Sequence, residues 1–181
     1  MNQLVAIVGM AGAGKSEVAR IFEQEGFVRI RFGDITDEEL RKRGLELTEE
    51  NERFIREWLR REHGMAAYAK LNLARIDALL EISNVVIDGL YSWEEYMLLK
   101  DRYGDRLRLV AVWSSPKTRY ERLSRRSVRP LTKEVAAARD VTELENTNKG
   151  GPIAMADFTI INESTFESLA QEVRKVIGVL K

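Results

Sequence analysis

The sequence predicts an α/β fold in three layers, with a mainly parallel sheet of five strands between two layers of helices. Two observations support this prediction. Short apolar segments of strand type alternate with helical segments along the chain, and most of the apolar segments are unbroken, as in strands that are covered on both faces. No linker rich in proline or serine interrupts the 181 residues. We therefore expect a single domain, residues 1–181.

Five apolar segments have the length and the residue types of strands. They are residues 4–8, 28–30, 85–87, 107–113 and 158–161. In parallel sheets of this kind, ligands bind beyond the carboxyl ends of the strands. The first candidates for function are therefore the residues directly after each strand, namely 9–16, 32–34, 88–89 and 114–115.

Helical patterns fill the segments between the strands. Ser92 with Glu95, and Ser164 with Glu167, have the spacing of a capping box, which predicts that a helix begins at each serine. Apolar periodicity and turn residues predict three earlier helices. These are expected at residues 16–25, 48–64 and 65–81.

The composition excludes several kinds of catalytic site. With no cysteine and a single histidine, His63, the chain has no thiolate nucleophile, no iron–sulfur ligands and no zinc site of the cysteine or multi-histidine kind. The 29 basic and 29 acidic residues cancel, so no overall charge attracts nucleic acid or an anionic membrane. Without an apolar run of 18 residues or a basic leader, we expect a cytoplasmic protein with no membrane partner.

A phosphate-binding motif follows the first predicted strand. Residues 9–16, Gly-Met-Ala-Gly-Ala-Gly-Lys-Ser, match G-x-x-x-x-G-K-[ST] between a strand and a helix. Glycines let backbone N–H groups point at an anion, Lys15 bridges the outer phosphates, and the Ser16 hydroxyl ligates Mg²⁺. The alternative is a glycine-rich turn that only permits tight packing, but the flanking elements favour binding of ATP with Mg²⁺. We assign nucleotide binding here to Gly9, Ala11, Gly12, Ala13, Gly14, Lys15, Ser16 and Glu17.

Further segments follow the loop in a fixed order. They are Phe-Gly-Asp at 32–34, Val-Ile-Asp-Gly at 86–89, Arg122 and Arg126, Arg-Asp at 139–140, and Ala-Asp-Phe-Thr-Ile-Ile-Asn at 156–162. Over nearly its full length the chain thus resembles the adenylate kinase and dephospho-coenzyme A kinase branch of P-loop phosphotransferases, and especially archaeal adenylate-kinase-related proteins. The resemblance implies a nucleoside monophosphate kinase-like fold, with acceptor-binding helices in residues 34–68 and a short lid at 124–131.

The resemblance also implies roles for two aspartates. Asp34 and Asp88 would face the phosphates and orient Mg²⁺-bound water, so that both count as metal ligands through water beside Ser16, and one of them would accept a proton from an attacking hydroxyl. The alternative for Asp34 is an N-cap of a helix from Ile35. For Asp88 it is a plain Asp-Gly turn.

Three arginines are candidates for phosphate contact. In the family the residue matching Arg122 stacks on the donor base, the one matching Arg126 reaches the donor's phosphates, and the one matching Arg139 contacts the transferring phosphoryl group. Arg129 continues the same helix face. The alternative is a solvated basic face, but eight bases and two acids in residues 117–139 favour phosphate binding. The predicted catalytic set is Lys15, Asp34, Asp88, Arg126 and Arg139.

The acceptor side departs from the family pattern. Adenylate kinases hold the acceptor's phosphate with two arginines, and this chain has Asp37 and Tyr91 at those positions. Residues 34–63 carry ten acids and seven bases, which disfavours a highly anionic acceptor. Lys149, after the lid helix, is interpreted as a surface lysine, with contact to a nucleotide as the alternative.

Three alternatives for the acceptor remain open. Its phosphate is held elsewhere, or it presents a hydroxyl on an uncharged or cationic molecule, or the protein is a slow ATPase switch with a regulatory or RNA partner. The arginines that could hold a phosphate elsewhere are Arg29, Arg31, Arg41 and Arg43. The function we predict is phosphoryl transfer from ATP to a small nucleotide-like or coenzyme-precursor acceptor. Oligomeric state and the choice between ATP and GTP are not predicted.

Overall fold

A computed structural model, which describes residues 2–128 and 130–180, has the predicted α/β architecture. The strands of this part of the chain are β1 (Leu4–Val8), β2 (Val28–Arg31), β3 (Val85–Asp88), β4 (Leu107–Trp113) and β5 (Phe158–Ile161). All neighbouring strands are parallel, and their order across the sheet is β2-β3-β1-β4-β5. The fold class and the five strands predicted from the sequence are confirmed.

Helices cover both faces of the sheet. They are α1 (Lys15–Gln24), α2 (Asp34–Lys42), α3 (Glu49–His63), α4 (Ala67–Leu80), α5 (Trp93–Tyr103), α6 (Pro116–Ser124), α7 (Lys133–Glu145), α8 (Gly150–Ala154) and α9 (Phe166–Leu180), with a short 3₁₀ turn at Gly104–Arg106. Within residues 2–128 and 130–180, none of the helices combines the length and the apolar character needed to cross a membrane.

Strand β1 divides the core into two apolar layers. Leu4, Ala6 and Val8 pack on one face with buried residues of α2, α3, α4 and α5. Val5 and Ile7 pack on the other face with α1 and α9. Successive side chains of a strand point to opposite faces, so an unbroken apolar strand is what a sheet covered on both sides requires. The loop that follows β1 is therefore fixed to the centre of the molecule.

Two predicted helix starts and one helix end are confirmed. Thr48 accepts a hydrogen bond from the N–H of Asn51 at 3.2 Å, directly before α3. Ser92 accepts one from the N–H of Glu95 at 3.1 Å, directly before α5. Gly64 follows α3 with φ of 82°, a backbone conformation that glycine adopts without strain. The capping residues thus set the ends of both helices.

The start of the last helix differs from the prediction by one residue. Thr165, and not Ser164, accepts the hydrogen bond of the first turn, from the N–H of Ser168 at 3.3 Å. Adjacent serine and threonine hydroxyls are both good caps. The spacing from Ser164 to Glu167 could not distinguish them.

Candidate active site

The loop between β1 and α1 needs glycine for two physical reasons. Gly12 has φ of +80° and Gly14 has φ of +101°, conformations that L side chains rarely adopt. A Cβ atom on Gly14 would lie 2.3 Å from the side-chain nitrogen of Asn162, and one on Gly12 would lie 2.7 Å from the carbonyl oxygen of Arg119. The motif glycines therefore allow the loop to wrap tightly against its neighbours.

Lys15 is the buried cation of this loop. Its Nζ donates hydrogen bonds to the carbonyl oxygens of Gly9 at 2.8 Å and Met10 at 3.1 Å. Burial is the main reason that its pKa is lowered to about 7; the charge of Lys149 lowers it further, and Glu143 acts in the opposite direction. An anionic phosphate beside Lys15 would favour the charged ammonium form.

Ser16 and Asp88 are brought together as predicted. The Ser16 hydroxyl donates to Oδ1 of Asp88 at 3.4 Å, and Asp88, at the carboxyl end of β3, also forms an ion pair with Arg29 of β2. A hydroxyl and a carboxylate oxygen suit Mg²⁺, which prefers oxygen ligands and keeps several waters. In the described part of the chain no three His, Cys, Asp or Glu side chains form a metal-binding group. The residues that would hold Mg²⁺ are Ser16, by its hydroxyl, and Asp88, through water.

Asp34 and Glu17 have other partners. Asp34 is the first residue of α2, and its carboxylate pairs with Arg31 at 3.0 Å. Gly33 occupies the N-cap position and the helix has no side-chain cap, so the alternative of Asp34 as an N-cap is wrong. Glu17 pairs with Arg20 at 2.7 Å in an exposed position. Contact of Asp34 and Glu17 with nucleotide or Mg²⁺ stays a prediction.

Arg122 is fixed beside the phosphate loop. It donates to the hydroxyl of Ser114 at 3.0 Å and to the carbonyl oxygen of Asn162 at 2.9 Å. The side chain of Asn162 donates in turn to the carbonyl oxygen of Ala13, within the loop, at 2.9 Å. This placement supports, without testing, the nucleotide-binding role that the resemblance implies for Arg122.

An ion pair that the sequence did not predict ties the loop to helix α7. Arg119 donates two hydrogen bonds to the carboxylate of Asp140, at 2.8 and 2.6 Å, and a third to the carbonyl oxygen of Ala11 at 3.1 Å. Only 5% and 12% of the two charged side chains are exposed. The sequence analysis assigned a role to Arg139 but none to its neighbour Asp140, because nothing in the sequence indicates which arginine forms an ion pair with Asp140.

The predicted lid, residues 124–131, connects α6 to α7. Its last residue, Leu131, is buried and packs against Ala11 of the loop and Leu123 of α6. Arg126 faces a cleft described below, whereas Arg129 lies outside the described residues. The end of the lid is thus in contact with the phosphate loop in this conformation.

A cleft of about 440 Å³ lies between α2 and α3 on one side and α7 with the turn after it on the other. Residues within 34–68 form one wall. That this wall binds an acceptor stays a prediction. Both departures from the family pattern, Asp37 and Tyr91, line it. The other lining residues are Arg31, Gly33, Thr36, Glu49, Glu52, Arg53, Arg56, Glu57, Arg60, Tyr68, Arg126, Leu131, Val135, Ala138, Arg139, Thr142, Glu143, Thr147 and Lys149.

Three charged residues meet at the inner end of the α7 wall. The Glu143 carboxylate pairs with Lys149 at 2.8 Å and with Arg139 at 3.2 Å. Burial raises the pKa of Glu143, but Lys149, Lys15 and Arg139 outweigh it and lower that pKa to about 2. Lys149 is 3% exposed, so its interpretation as a surface lysine is wrong. Arg139 lines the cleft, and its contact with a transferring phosphoryl group stays a prediction.

The four arginines considered as substitute phosphate anchors have different positions. Arg29 is paired with Asp88, Arg41 donates to the carbonyl oxygen of Asp37 at 3.3 Å, and Arg43 lies over the ring of Trp58 at 3.9 Å. Arg31 lines the cleft. Of the four arginines, Arg31 is therefore the one that could hold a phosphate of an acceptor in the cleft.

Helix α3 supplies three cleft arginines that were not predicted. Arg53, Arg56 and Arg60 are spaced by three and four residues, which places them along one side of the helix. Arg56 is held by Glu49 at 2.8 Å, while the buried Nε of Arg60 has no hydrogen-bond partner among the described residues. The helical spacing was the signal that could have identified them.

The charge of the cleft differs from the charge of residues 34–63, which contribute to one of its walls. Seven basic and five acidic side chains line the cleft, a net excess of two positive charges. The excess comes from Arg31, Arg126, Arg139 and Lys149, which lie outside residues 34–63. The count over residues 34–63 includes acids that are not part of the cleft lining and omits the opposite wall. Whether the acceptor is anionic stays a prediction.

Comparisons with known proteins agree with this architecture. A family model described as an AAA domain matches residues 5–149. The UPF0200 protein TK1334 of Thermococcus kodakarensis is 40% identical over 178 residues, which cover 96% of each chain. A UPF0200 protein of Hyperthermus butylicus is 36% identical over 179 residues, covering 98% of this chain and 94% of that protein.

Solved structures with a similar fold include three kinases. The chain superposes on a gluconokinase from Sinorhizobium meliloti with a TM-score of 0.63 and 17% identity, covering 98% of this chain and 93% of that one. A shikimate kinase from Bacteroides thetaiotaomicron gives 0.62 and 15%, covering 98% of each chain. A dephospho-CoA kinase from Campylobacter jejuni gives 0.57 and 17%, covering 99% and 98%. The P-loop kinase-like fold is thereby confirmed.

Proposed function

The chain belongs to the UPF0200 family, and on that premise we propose that it transfers the γ-phosphoryl group of ATP to a small nucleotide-like or coenzyme-precursor acceptor bound in the cleft. One observation carries the proposal. Arg139, Glu143 and Lys149 line the cleft and also belong to the charged surroundings of Lys15 in the phosphate loop. A donor on the loop and an acceptor in the cleft would meet at these residues.

The cleft supports an acceptor that carries an anionic group. Its volume of about 440 Å³ lies within the range of roughly 300–1,000 Å³ found for small-molecule sites. Its lining has a positive excess, and Arg60 presents a buried Nε without a partner in the described residues. A phosphate or carboxylate would complete the hydrogen bonding of this arginine. Tyr91, which is partly buried, gives the same cleft an aromatic surface suited to a planar ring, and the buried Tyr68 packs edge-on against it with ring centroids 5.2 Å apart.

Each part of the site has a role in the proposed reaction. The loop N–H groups and Lys15 would bind the phosphates of ATP, and Arg126 and Arg139 would neutralise charge that develops on the transferred group. Ser16 and Asp88 would hold Mg²⁺ directly and through water. Bound there, Mg²⁺ would supply charge neutralisation to the β- and γ-phosphates.

The transfer step exchanges one P–O bond for another. An oxygen lone pair of the acceptor forms a bond to the γ-phosphorus, and the bond from that phosphorus to the β,γ-bridging oxygen breaks with its electron pair left on ADP. If the attacking group is a hydroxyl, its proton would pass to Asp34 or Asp88, the two carboxylates to which the resemblance gives this role. If it is an ionised phosphate oxygen, no base is needed. The reaction needs positioning and electrostatic stabilisation more than covalent chemistry from the protein.

The test is ADP release from ATP with and without a panel of small acceptors. The panel contains nucleoside monophosphates, dephospho-coenzyme A and nucleosides, and the wild type is compared with Lys15→Ala. We expect one acceptor to stimulate ADP release, and Lys15→Ala to remove that stimulation. Turnover that Lys15→Ala leaves unchanged would contradict the proposal.

The same panel distinguishes the alternative function. A regulatory or RNA-associated ATPase would hydrolyse ATP slowly and at the same rate with every small molecule, and it would retain a macromolecular partner in a nucleotide-dependent way. Stimulation by one compound selects the phosphotransferase. The kinases among the similar folds support that outcome.

A further inference from the structure

We propose that Lys149 is a second phosphate-binding lysine, which contacts the γ-phosphoryl group of ATP, and that Glu143 holds Lys149 and Arg139 in place until the nucleotide arrives. The inference rests on the proposed binding of ATP at the loop. It does not require that the phosphoryl group be transferred to an acceptor.

The turn that carries Lys149 is built to bring it inward. The Lys149 N–H donates to the carbonyl oxygen of Glu143 at 3.2 Å, and the Thr147 hydroxyl donates to the same oxygen at 2.6 Å. The Trp93 N–H donates to the carbonyl oxygen of Thr147 at 3.2 Å. Gly151 lies so close to Trp93 that a Cβ atom would be 2.5 Å from the indole ring. These contacts fix the backbone on both sides of Lys149.

Lys149 occupies a position that is costly for a lysine with a merely structural role. Only 3% of the residue is exposed, and burial is the main cause that lowers its pKa. A buried ammonium needs anionic partners, because its hydration is lost. Its partner is Glu143, and its Nζ also lies 5.6 Å from the centre of the Tyr91 ring.

The charges around this position do not balance. The single carboxylate of Glu143 faces Lys149 and Arg139 directly and is coupled electrostatically to Lys15. Asp88 also acts on Lys15, but it already forms an ion pair with Arg29. Glu49 also approaches Arg139, at 3.9 Å, but it is paired more closely with Arg56, at 2.8 Å. Asp88 and Glu49 are thus shared with other arginines, which leaves an excess of positive charge at the inner end of the cleft. Such a cluster is matched by a polyanion.

The position of the cluster identifies which anion. Lys15 belongs to the phosphate loop, whose motif lysine contacts the outer phosphates, whereas Arg139 and Lys149 line the acceptor cleft. A group coordinated by cations from both sides lies between donor and acceptor. The γ-phosphoryl group of ATP is the group that has to be there. Glu143 would then be the internal anion with which that group competes for Lys149.

The experiment measures affinity for AMP-PNP and for ADP, both with Mg²⁺, by calorimetry. We expect Lys149→Met to weaken AMP-PNP binding at least about tenfold, the loss of one charge-assisted hydrogen bond, while ADP affinity changes less than about threefold. Lys149→Arg should retain AMP-PNP affinity within about threefold. The matched control is Lys175→Met, which removes an exposed, ion-paired lysine of α9 and should change neither affinity.

Glu143→Gln gives an effect of opposite sign. Removing the competing carboxylate should tighten AMP-PNP binding, although it lowers thermal stability. If the ion pair between Lys149 and Glu143 is purely structural, both Lys149→Met and Glu143→Gln should lower stability and leave the ratio of AMP-PNP to ADP affinity unchanged. That result would overturn the inference. If Lys149→Met fails to fold, Glu143→Gln decides, because AMP-PNP binding that is not tightened contradicts the competition.

Failure of the proposed function gives a different pattern. Suppose that the wild type binds AMP-PNP more tightly than ADP, that Lys149→Met removes this preference, and that the wild type transfers phosphate to no acceptor. This result would support the role of Lys149 and contradict the phosphotransferase activity. A wild type that binds neither nucleotide would contradict both.

Discussion

The ion pair between Arg119 and Asp140 can be tested against a chemically matched pair elsewhere in the chain. Asp140 accepts two hydrogen bonds from Arg119 and one from the hydroxyl of Tyr120 at 2.9 Å. Asp77 accepts the same set from Arg102 and Tyr103. The exposed fractions differ: 5% and 12% for Arg119 and Asp140, but 48% and 39% for Arg102 and Asp77. The comparison therefore varies burial while the chemistry is held constant.

We expect Asp140→Asn to lower the free energy of unfolding by about 3–5 kcal/mol, because it leaves the buried guanidinium of Arg119 without its anion. Asp77→Asn should cost less than about 1 kcal/mol, since both groups remain solvated. With a urea slope of about 2–3 kcal/mol/M, the first change moves the unfolding midpoint by roughly 1–2.5 M. Equilibrium unfolding in urea, followed by circular dichroism, measures both variants.

A second variant separates the charge from the packing. Arg119→Met combined with Asp140→Leu removes both buried charges and should recover part of the stability lost in Asp140→Asn. Because Arg119 also holds the carbonyl oxygen of Ala11 in the phosphate loop, the double variant should still bind ATP more weakly than the wild type. Equal destabilisation by Asp140→Asn and Asp77→Asn would refute the reasoning.

Two further changes have signs that follow from the structure. Burial raises the pKa of Glu95 to about 7, above its ordinary 4.5, so the folded state favours the protonated form and loses stability as pH rises from about 4.5 to 7. Relative to the wild type, Glu95→Gln should therefore gain about 2–3 kcal/mol of unfolding free energy between pH 5 and pH 8. A difference in urea unfolding that does not change with pH would argue against this. Gly151→Ala should destabilise the protein by about 1–3 kcal/mol through its clash with Trp93, and it should weaken AMP-PNP binding. Gly178→Ala in α9, where a Cβ meets no atom within 4 Å, should instead stabilise the protein by up to about 1 kcal/mol. Similar shifts in thermal unfolding for both variants would contradict the role of the turn.

The sheet and the phosphate loop could be predicted because their signals are local. Strand β1 is apolar at every position, and the motif from Gly9 to Ser16 follows it directly, so neither depends on distant partners. The proximity of Ser16 and Asp88 was implied by the family resemblance, and it agrees with a parallel sheet, since the carboxyl ends of parallel strands lie at one edge.

The charge of the cleft could not be predicted, because tertiary contacts decide which side chains line it. The sequence around Lys149 is that of an exposed, glycine-containing turn. The contacts that direct Lys149 inward, namely backbone hydrogen bonds to Glu143 and from Trp93 and the packing of Gly151 on Trp93, are tertiary. Likewise, the net charge of residues 34–63 says nothing about which side chains line the cleft. Arg60 and Arg139 lie on different helices, and their common orientation toward the cleft is visible only in the folded chain.

The central claim, that the γ-phosphoryl group of ATP moves to a small molecule in the cleft, is tested most directly by the fate of that group. The protein is incubated with γ-labelled ATP, Mg²⁺ and the panel of small acceptors, and the labelled products are separated. We expect label on one small organic product with the wild type and none with Lys15→Ala. Label recovered only as inorganic phosphate, at a rate that no acceptor changes, would contradict the account.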